Sequence, residues 1–211
     1  MDRKDWDERY ESPDLIWTAE PNQFLVREVG DLSPGRAVDL ACGEGRNAIW
    51  LAERGWDTTG VDFSSVGLEK ARQFAARRGT NVQWVEADLT EWEPEPNSYD
   101  LVLLAYVQLP SAMRSPLHRK AFTAVKPGGR LLIIAHDSTN LREGFGGPQS
   151  PDVLFSPNDV LTDIDGTDFA IERAERVTRA VTTDFGERVA IDALVRLQKP
   201  MKDKENANGN R

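Results

Sequence analysis

The sequence predicts an α/β fold, with a doubly wound, seven-stranded, mostly parallel sheet that ends in a C-terminal antiparallel hairpin. Three observations predict it. Short apolar runs alternate with helically spaced segments between Arg36 and His136. A glycine-rich loop joins the first run to the helix that follows it. The last stretch before the C terminus drops this rhythm and alternates apolar with polar residues. Strands alternating with helices make a parallel sheet covered on both faces, whereas period-two alternation marks a strand covered on one.

Arg36 to Ala41 reads as a buried strand, with a helix over roughly Arg46 to Arg54. "DTTGVDF" carries a second strand ending at Asp62, and Val66 to Arg78 has helical spacing. "NVQWVEADL", "YDLVLLAYV" and "RLLIIAH" supply the third, fourth and fifth strands. A helix over about Ala112 to Val125 lies between the last two, with Pro116 expected to delay its start. "KPGG" at Lys126 to Gly129 is expected to end that helix and turn the chain into the sheet. "SPNDVLTDI" reads as a short helix with Ser156 at the N-cap and Pro157 in its first turn. "FAIERAERVTRAV" and "ERVAIDALVRL" form the hairpin, turning near Asp184 to Gly186. The expected division is an N-terminal helical cap over 1–30, the main domain over 31–199 and a disordered tail over 200–211.

At 211 residues the chain suits one domain, and 39% hydrophobic with 29% charged residues is ordinary for a globular protein. No apolar run approaches a membrane span and Met1 to Tyr10 is too charged for a secretory signal, so a cytoplasmic protein is expected. The lone Cys42 can form no internal disulfide, and no Cys/His cluster has metal-site spacing. A net charge of −9 argues against nucleic-acid and membrane partners. Arg114, His118, Arg119 and Lys120 form a local basic run, read as a solvated helix face with His118 at the surface.

Function is concentrated in "AVDLACGEGRNAIW", Ala37 to Trp50. Gly43, Gly45 and Ala48 fit G-x-G-x-x-A, which opens a helix after a strand as a nucleotide-binding loop does. The acids at the strand ends choose among cofactors. Asp39, four residues before Gly43, would repel a pyrophosphate but suits a cationic ligand such as the ammonium and sulfonium of S-adenosylmethionine. Its bland alternative is a carboxylate that caps loop amides. Asp62 can accept both ribose hydroxyls of a nicotinamide or a methyl-donor cofactor. Asp88 can accept an adenine amino group or merely cap its loop, and Phe63 offers a face to the adenine ring. Asp39, Gly43, Gly45, Asp62 and Asp88 together favour the methyl donor. A nicotinamide-dependent oxidoreductase and a non-catalytic cofactor-binding module stay open as alternatives.

"VDLACGEGRNAIWLAERGWDTTGVDFSSVGLEKAR" resembles motif I through the second-strand acid of class I S-adenosylmethionine-dependent methyltransferases. Within them it is similar to the small bacterial group of tellurite-resistance and thiopurine-type enzymes, whose loop D-x-x-C-G-x-G-R-N is matched by Asp39, Cys42, Gly43, Gly45, Arg46 and Asn47. "WDERY…W…PN" adds Trp6, Tyr10, Trp17 and Pro21-Asn22 to the likeness, which covers roughly residues 3–136. The resemblance implies a Rossmann-like fold with S-adenosyl-L-methionine as cofactor. Asp39, Ala41, Gly43 and Gly45 would surround its methionine end, with Asn47 nearby. Asp62 would hold the ribose, Phe63 and Ser64 the adenosine, and Asp88 with Leu89 the adenine. Ala105 and Tyr106 would flank the reactive methyl, and Trp6, Tyr10 and Trp17 would wall the site.

Methyl transfer from a sulfonium is an in-line displacement with an activated leaving group, so the protein supplies alignment and a dry pocket and needs no metal. A small-molecule acceptor is expected: a thiol, a hydroxyl or a chalcogen. A phenol or an amine calls for a general base. His136, at the end of the fifth strand, is the candidate, unless it merely hydrogen-bonds the next loop. Tyr106 and Gln108 are expected substrate contacts. "HDSTNLREGFGGPQSPDVLF" is a long loop and a candidate lid, with Arg142 and Phe145 toward substrate. Cys42, Trp50, Trp56 and Trp84 are assigned to packing.

Overall fold

Five apolar runs become parallel strands in a computed structural model that describes residues 2–201. They are β1 (Arg36–Leu40), β2 (Asp57–Asp62), β3 (Gln83–Glu86), β4 (Tyr99–Ala105) and β5 (Val125–His136). With β6 (Ala170–Thr183) and β7 (Gly186–Gln198) they form one seven-stranded sheet in the order β3-β2-β1-β4-β5-β7-β6. β7 runs antiparallel between β5 and β6. From β1 the chain steps outward to β2 and β3, then returns to lay β4 on the other side of β1. Loops after β1 and β4 therefore diverge and open a crevice at the carboxyl edge, where α/β sheets bind ligands.

Helices α2 (Gln23–Val29) and α3 (Arg46–Glu53) cover one face of the sheet. There Phe24, Leu25, Trp50 and Leu51 pack on Leu101, Leu103, Leu132 and Ile134. Trp56 joins this cluster as packing. Helices α5 (Ser111–Ala124) and α7 (Pro157–Asp163) cover the opposite face, where Leu117, Phe122 and Val160 meet Val102, Leu104 and Ile133. α4 (Ser65–Arg78) joins α3 through Phe74, Ala75 and Ile49. The N-terminal α1 (Arg3–Tyr10) is closed by an Asp2–Asp5 capping box and rests on α4. The expected tail falls almost wholly at 202–211, outside the described residues.

Four expectations are corrected. α5 begins at Ser111 and contains Pro116, because its inner face buries Leu117, Ala121 and Phe122 and this packing outweighs one lost backbone hydrogen bond. Lys126–Gly129 lies within β5 rather than before it, at a register break between the Tyr99–Val125 and Leu101–Arg130 pairs. A Cβ on Gly129 would stand 2.9 Å from the Tyr99 carbonyl oxygen, so the close strand approach there requires glycine. The 137–155 loop contains α6 (Asn140–Glu143) and a 3₁₀ turn at Pro151–Val153. Arg114 and His118 are not on a solvated face; both are buried, Arg114 bonds Asp163 of α7 and His118 Nδ1 lies 2.8 Å from the same carboxylate.

The hairpin turns at Asp184-Phe185 as expected, but it is longer than the sheet needs. β5–β7 pairing ends at His136–Asp192, while β6–β7 pairing runs on to Thr183–Gly186. The ribbon of residues 178–191 thus overhangs the carboxyl edge by roughly 20 Å at the usual strand rise.

Candidate active site

The loop after β1 is built on left-handed backbone. Ala41, Gly43 and Gly45 have φ of 58°, 53° and 81°. Gly45 has a second reason to lack a side chain, since a Cβ there would stand 2.5 Å from the Trp84 ring. Asp62 fixes the loop by accepting the Gly43 amide at 2.8 Å and the Ser64 amide at 2.9 Å. Burial pushes the Asp62 carboxyl above its ordinary range against these hydrogen bonds. Asp39 is 1% exposed on β1, and burial raises its carboxyl to about 7, opposed chiefly by the Arg46 guanidinium. Its Oδ2 is sealed and has no hydrogen-bond partner. Cys42 is buried, and burial moves its thiol well above the ordinary range, which suits packing and not nucleophilic chemistry.

The N-terminal segment lies over this loop. A Cβ at Gly43 would stand 2.5 Å from the Tyr10 Oη, and the Asp7 carboxylate accepts the Ser64 hydroxyl at 2.5 Å. Trp6 stacks on Tyr10 at 5.5 Å, with Trp17 at 6.2 Å from Trp6. Glu44 holds the segment down: its carboxylate accepts the Ile16 and Trp17 amides and pairs with Lys70 at 2.6 Å. Lys70 in turn donates to the carbonyls of Tyr10, Ser12 and Asp14. The Asn47 Oδ1 accepts the Asn22 amide at 2.9 Å, so this side chain also anchors the cover.

A second cluster forms where β4 and β5 end. Tyr106 has a left-handed φ of 62° and follows Ala105 at the edge of the crevice. Its hydroxyl donates to Asp192 Oδ2 at 3.0 Å, and Arg179 Nε donates to the same oxygen at 2.7 Å. Burial, then the Asp192 carboxylate, push the Tyr106 phenol up to about 12, so it keeps its proton and acts as a donor. The His136 ring lies 4.9 Å from the Tyr106 ring, with Nδ1 3.3 Å from Asp192 Oδ1. Gln108 Oε1 accepts the His136 amide, and its Nε2 donates to Val153 in the long loop. Phe145 and Arg142 lie on that loop as exposed residues.

The residues named from the sequence fall into two clusters in the fold, and what ties each cluster together was not among them. Asp39, Ala41, Gly43, Gly45, Asp62 and Ser64 converge at the β1 and β2 ends, and Tyr106 meets His136. Phe63 is half-buried beside them, and Leu89 is buried behind β3. Asp88 is exposed, and its Oδ1 caps Thr90 through the backbone amide and the hydroxyl, both at 2.8 Å. Those hydrogen bonds hold its carboxyl below the ordinary range. Glu44, Lys70, Asp192 and Arg179 carry no motif. Only the polar Asp192 interrupting the apolar face of β7 hinted at one of them.

Residues 37–129 match the family described as a methyltransferase domain. Over those residues the chain is similar to a methyltransferase domain. A relative named 2-heptyl-1-hydroxyquinolin-4(1H)-one methyltransferase, from Mycobacteroides abscessus, is 26% identical over 64% of this chain and 61% of its own length. The chain spans 61% of this relative's length and between a third and 55% of the other curated relatives it matches. A structure solved in work on converting a disulfide bond into a thioacetal group during echinomycin biosynthesis aligns with a TM-score of 0.72 at 18% identity. It covers 96% of this chain and 94% of its own. TehB from Haemophilus influenzae aligns with a TM-score of 0.71 at 19% identity, covering 93% of this chain and 66% of its own. At such identities these likenesses speak for the shared Rossmann-like fold.

The donor that similarity to a methyltransferase domain implies is S-adenosylmethionine, and the residues present fit it. A sealed, unpartnered Asp39 oxygen suits a cationic amino-acid end, and the left-handed loop at Ala41–Gly45 exposes backbone for close approach.

Proposed function

We propose that this chain transfers the methyl group of S-adenosylmethionine to a small-molecule acceptor: a thiol, a hydroxyl or a chalcogen. The observation that carries the reading is Asp39, a buried carboxylate with one orphaned oxygen at the sheet's switch point, next to the glycine loop. A pyrophosphate-binding loop has no use for a negative charge there, whereas an ammonium or sulfonium does. The named function of the Mycobacteroides relative, methylation of a quinolone, supports a small acceptor. The net charge of −9 supports the same choice over a nucleic acid.

The chain's own residues divide the work. Asp62 holds the ribose hydroxyls, Phe63, Ser64, Asp88 and Leu89 the adenosine end, and Asp39 with Ala41, Gly43 and Gly45 the methionine end. Ala105 and Tyr106 flank the transferred methyl. Residues 2–30 act as a cap whose Trp6, Tyr10 and Trp17 exclude water, and residues 31–199 form the catalytic domain. The sulfonium supplies an activated leaving group, and the protein supplies alignment. Titration calorimetry with S-adenosylmethionine and S-adenosylhomocysteine tests the reading. Binding of both is expected, with Asp62→Ala weakening it at least tenfold. No binding of either, or tight binding of NAD that S-adenosylhomocysteine does not displace, would overturn it.

A further inference from the structure

We propose that His136 accepts the proton of a hydroxyl acceptor at Nε2, with Asp192 as its positioning residue, so that the acceptor is an oxygen acid such as a phenol or an enol. This rests on the methyl-transfer reading above and selects among the three acceptors it leaves open.

Asp192 is fully buried on β7. A buried carboxylate costs several kcal/mol unless it is paired, so its partners matter. Tyr106 and Arg179 both bond Oδ2. Oδ1 is left facing His136 Nδ1 at 3.3 Å, and both of those atoms are sealed without a hydrogen-bond partner. If Nδ1 were deprotonated, two lone pairs would confront one another. With the hydrogen on Nδ1 the carboxylate attracts it, and Nε2 becomes the lone-pair nitrogen. Asp192 therefore sets the tautomer, and it stabilises the imidazolium formed when Nε2 takes a proton, as the acid of a catalytic triad does.

The ring is held in place from several sides. Gly147 covers one part of it, since a Cβ there would stand 2.8 Å from Cγ and Nδ1. The remaining 12% of the side chain is open. Tyr106 closes from the β4 end, Asp192 from β7 and Arg179 from β6, and Arg46 of α3 interacts with both Tyr106 and Arg179. The adjacent Asp137 is tied to Arg176 at 3.0 Å and to Thr139, away from the ring.

A thiol, with an ordinary pKa of about 8.5, ionises readily near neutral pH, whereas a phenol near 10 does not. A base oriented by a buried carboxylate therefore matters for an O–H acceptor and not for a sulfur or selenium one. In the step, the acceptor O–H bond breaks and its proton moves to Nε2. The oxygen pair forms the O–CH₃ bond as the donor's C–S bond breaks, with that pair remaining on sulfur. The imidazolium then loses its proton to water.

The test uses the full chain, S-adenosylmethionine and a series of substituted phenols with hydroxyl pKa from about 10 down to below the assay pH, with thiophenol alongside. His136→Gln is expected to lose about 10²- to 10⁴-fold in kcat/KM on the least acidic phenols. That loss should shrink towards a few-fold on phenols already ionised, and added imidazole should restore part of the activity of His136→Gly. Asp192→Asn is expected to lower kcat on the least acidic phenols with KM little changed, and to cost only a few-fold on phenols already ionised. Calorimetric affinity for S-adenosylhomocysteine should stay within twofold in every variant. A His136→Gln loss that is uniform along the series, no imidazole rescue, or transfer to thiophenol alone would overturn the proposal while leaving methyl transfer standing. A wild-type chain that binds no S-adenosylhomocysteine would overturn both.

Discussion

Asp39 links stability to binding with opposite signs. Burial raises its carboxyl from 3.8 to about 7, ahead of the attraction to Arg46 that lowers it. The unfolded chain releases this proton at the lower value and the folded chain at the higher. Between them the folded form holds the extra proton, and its stability falls as pH rises through that window. Asp39→Asn removes this penalty. Without ligand the variant should therefore melt higher than wild type at pH 8 and nearly level with it at pH 4. Calorimetry should show its affinity for S-adenosylmethionine at least tenfold weaker at pH 8, with the gap narrowing at pH 4, where the wild-type carboxyl is protonated too. Gly43 is set by a different constraint, because its φ of 53° and the Tyr10 hydroxyl 2.5 Å from a would-be Cβ both exclude a side chain. Gly43→Ala should cost about 1–2 kcal/mol from the backbone term alone. Its loss of cofactor affinity should be partly recovered in the Gly43→Ala/Tyr10→Ala double variant, as titration would show. The glycine was legible in the sequence because its spacing is local. The tyrosine above it was placed there only by resemblance.

Two helices are tied to the body of the molecule by buried ions. Lys70 of α4 anchors the 10–17 segment through Glu44 and three carbonyls. Removing one partner of a buried pair strands the other, so Lys70→Ala should cost about 3 kcal/mol. Limited proteolysis should then cut within residues 11–18 faster than in wild type, and S-adenosylhomocysteine should slow the cut. Between α5 and α7, Asp163 takes Arg114 at 2.7 and 3.2 Å and lies 2.8 Å from His118 Nδ1. Burial acts to raise the Asp163 carboxyl, but His118 and Arg114 together hold it below its ordinary range. Asp163→Ala should lower stability by about 3–5 kcal/mol in urea unfolding while sparing cofactor affinity. The basic run on α5 looked like a solvated face because a sequence window contains no carboxylate for it. Its partner is 49 positions away.

At the scale of the molecule, the crevice at the β1–β4 switch point, the N-terminal cover and the overhanging β6–β7 ribbon enclose one edge of one sheet. A ligand that binds there only in the folded state stabilises the whole chain by about 2.7 kcal/mol at a concentration 100 times its dissociation constant. For a domain of this size that corresponds to a rise of roughly 5–10 °C in Tm. A thermal melt with S-adenosylhomocysteine should show it, and Asp62→Ala, binding at least tenfold more weakly, should cut it to about half or less. The order and type of the elements, the loop from Asp39 to Asn47 and the acids at the strand ends were determined by the sequence alone, because periodicity and glycine spacing are properties of neighbouring residues. Tertiary structure alone decided that Asp192 meets Tyr106 across 86 positions, that Glu44 meets Lys70, and that Asp88 uses one oxygen on Thr90. The physical reason is that each contact depends on which strands lie side by side and which faces they turn inward. The hairpin pattern announced β7, but its insertion between β5 and β6 is what brings a buried carboxylate to His136.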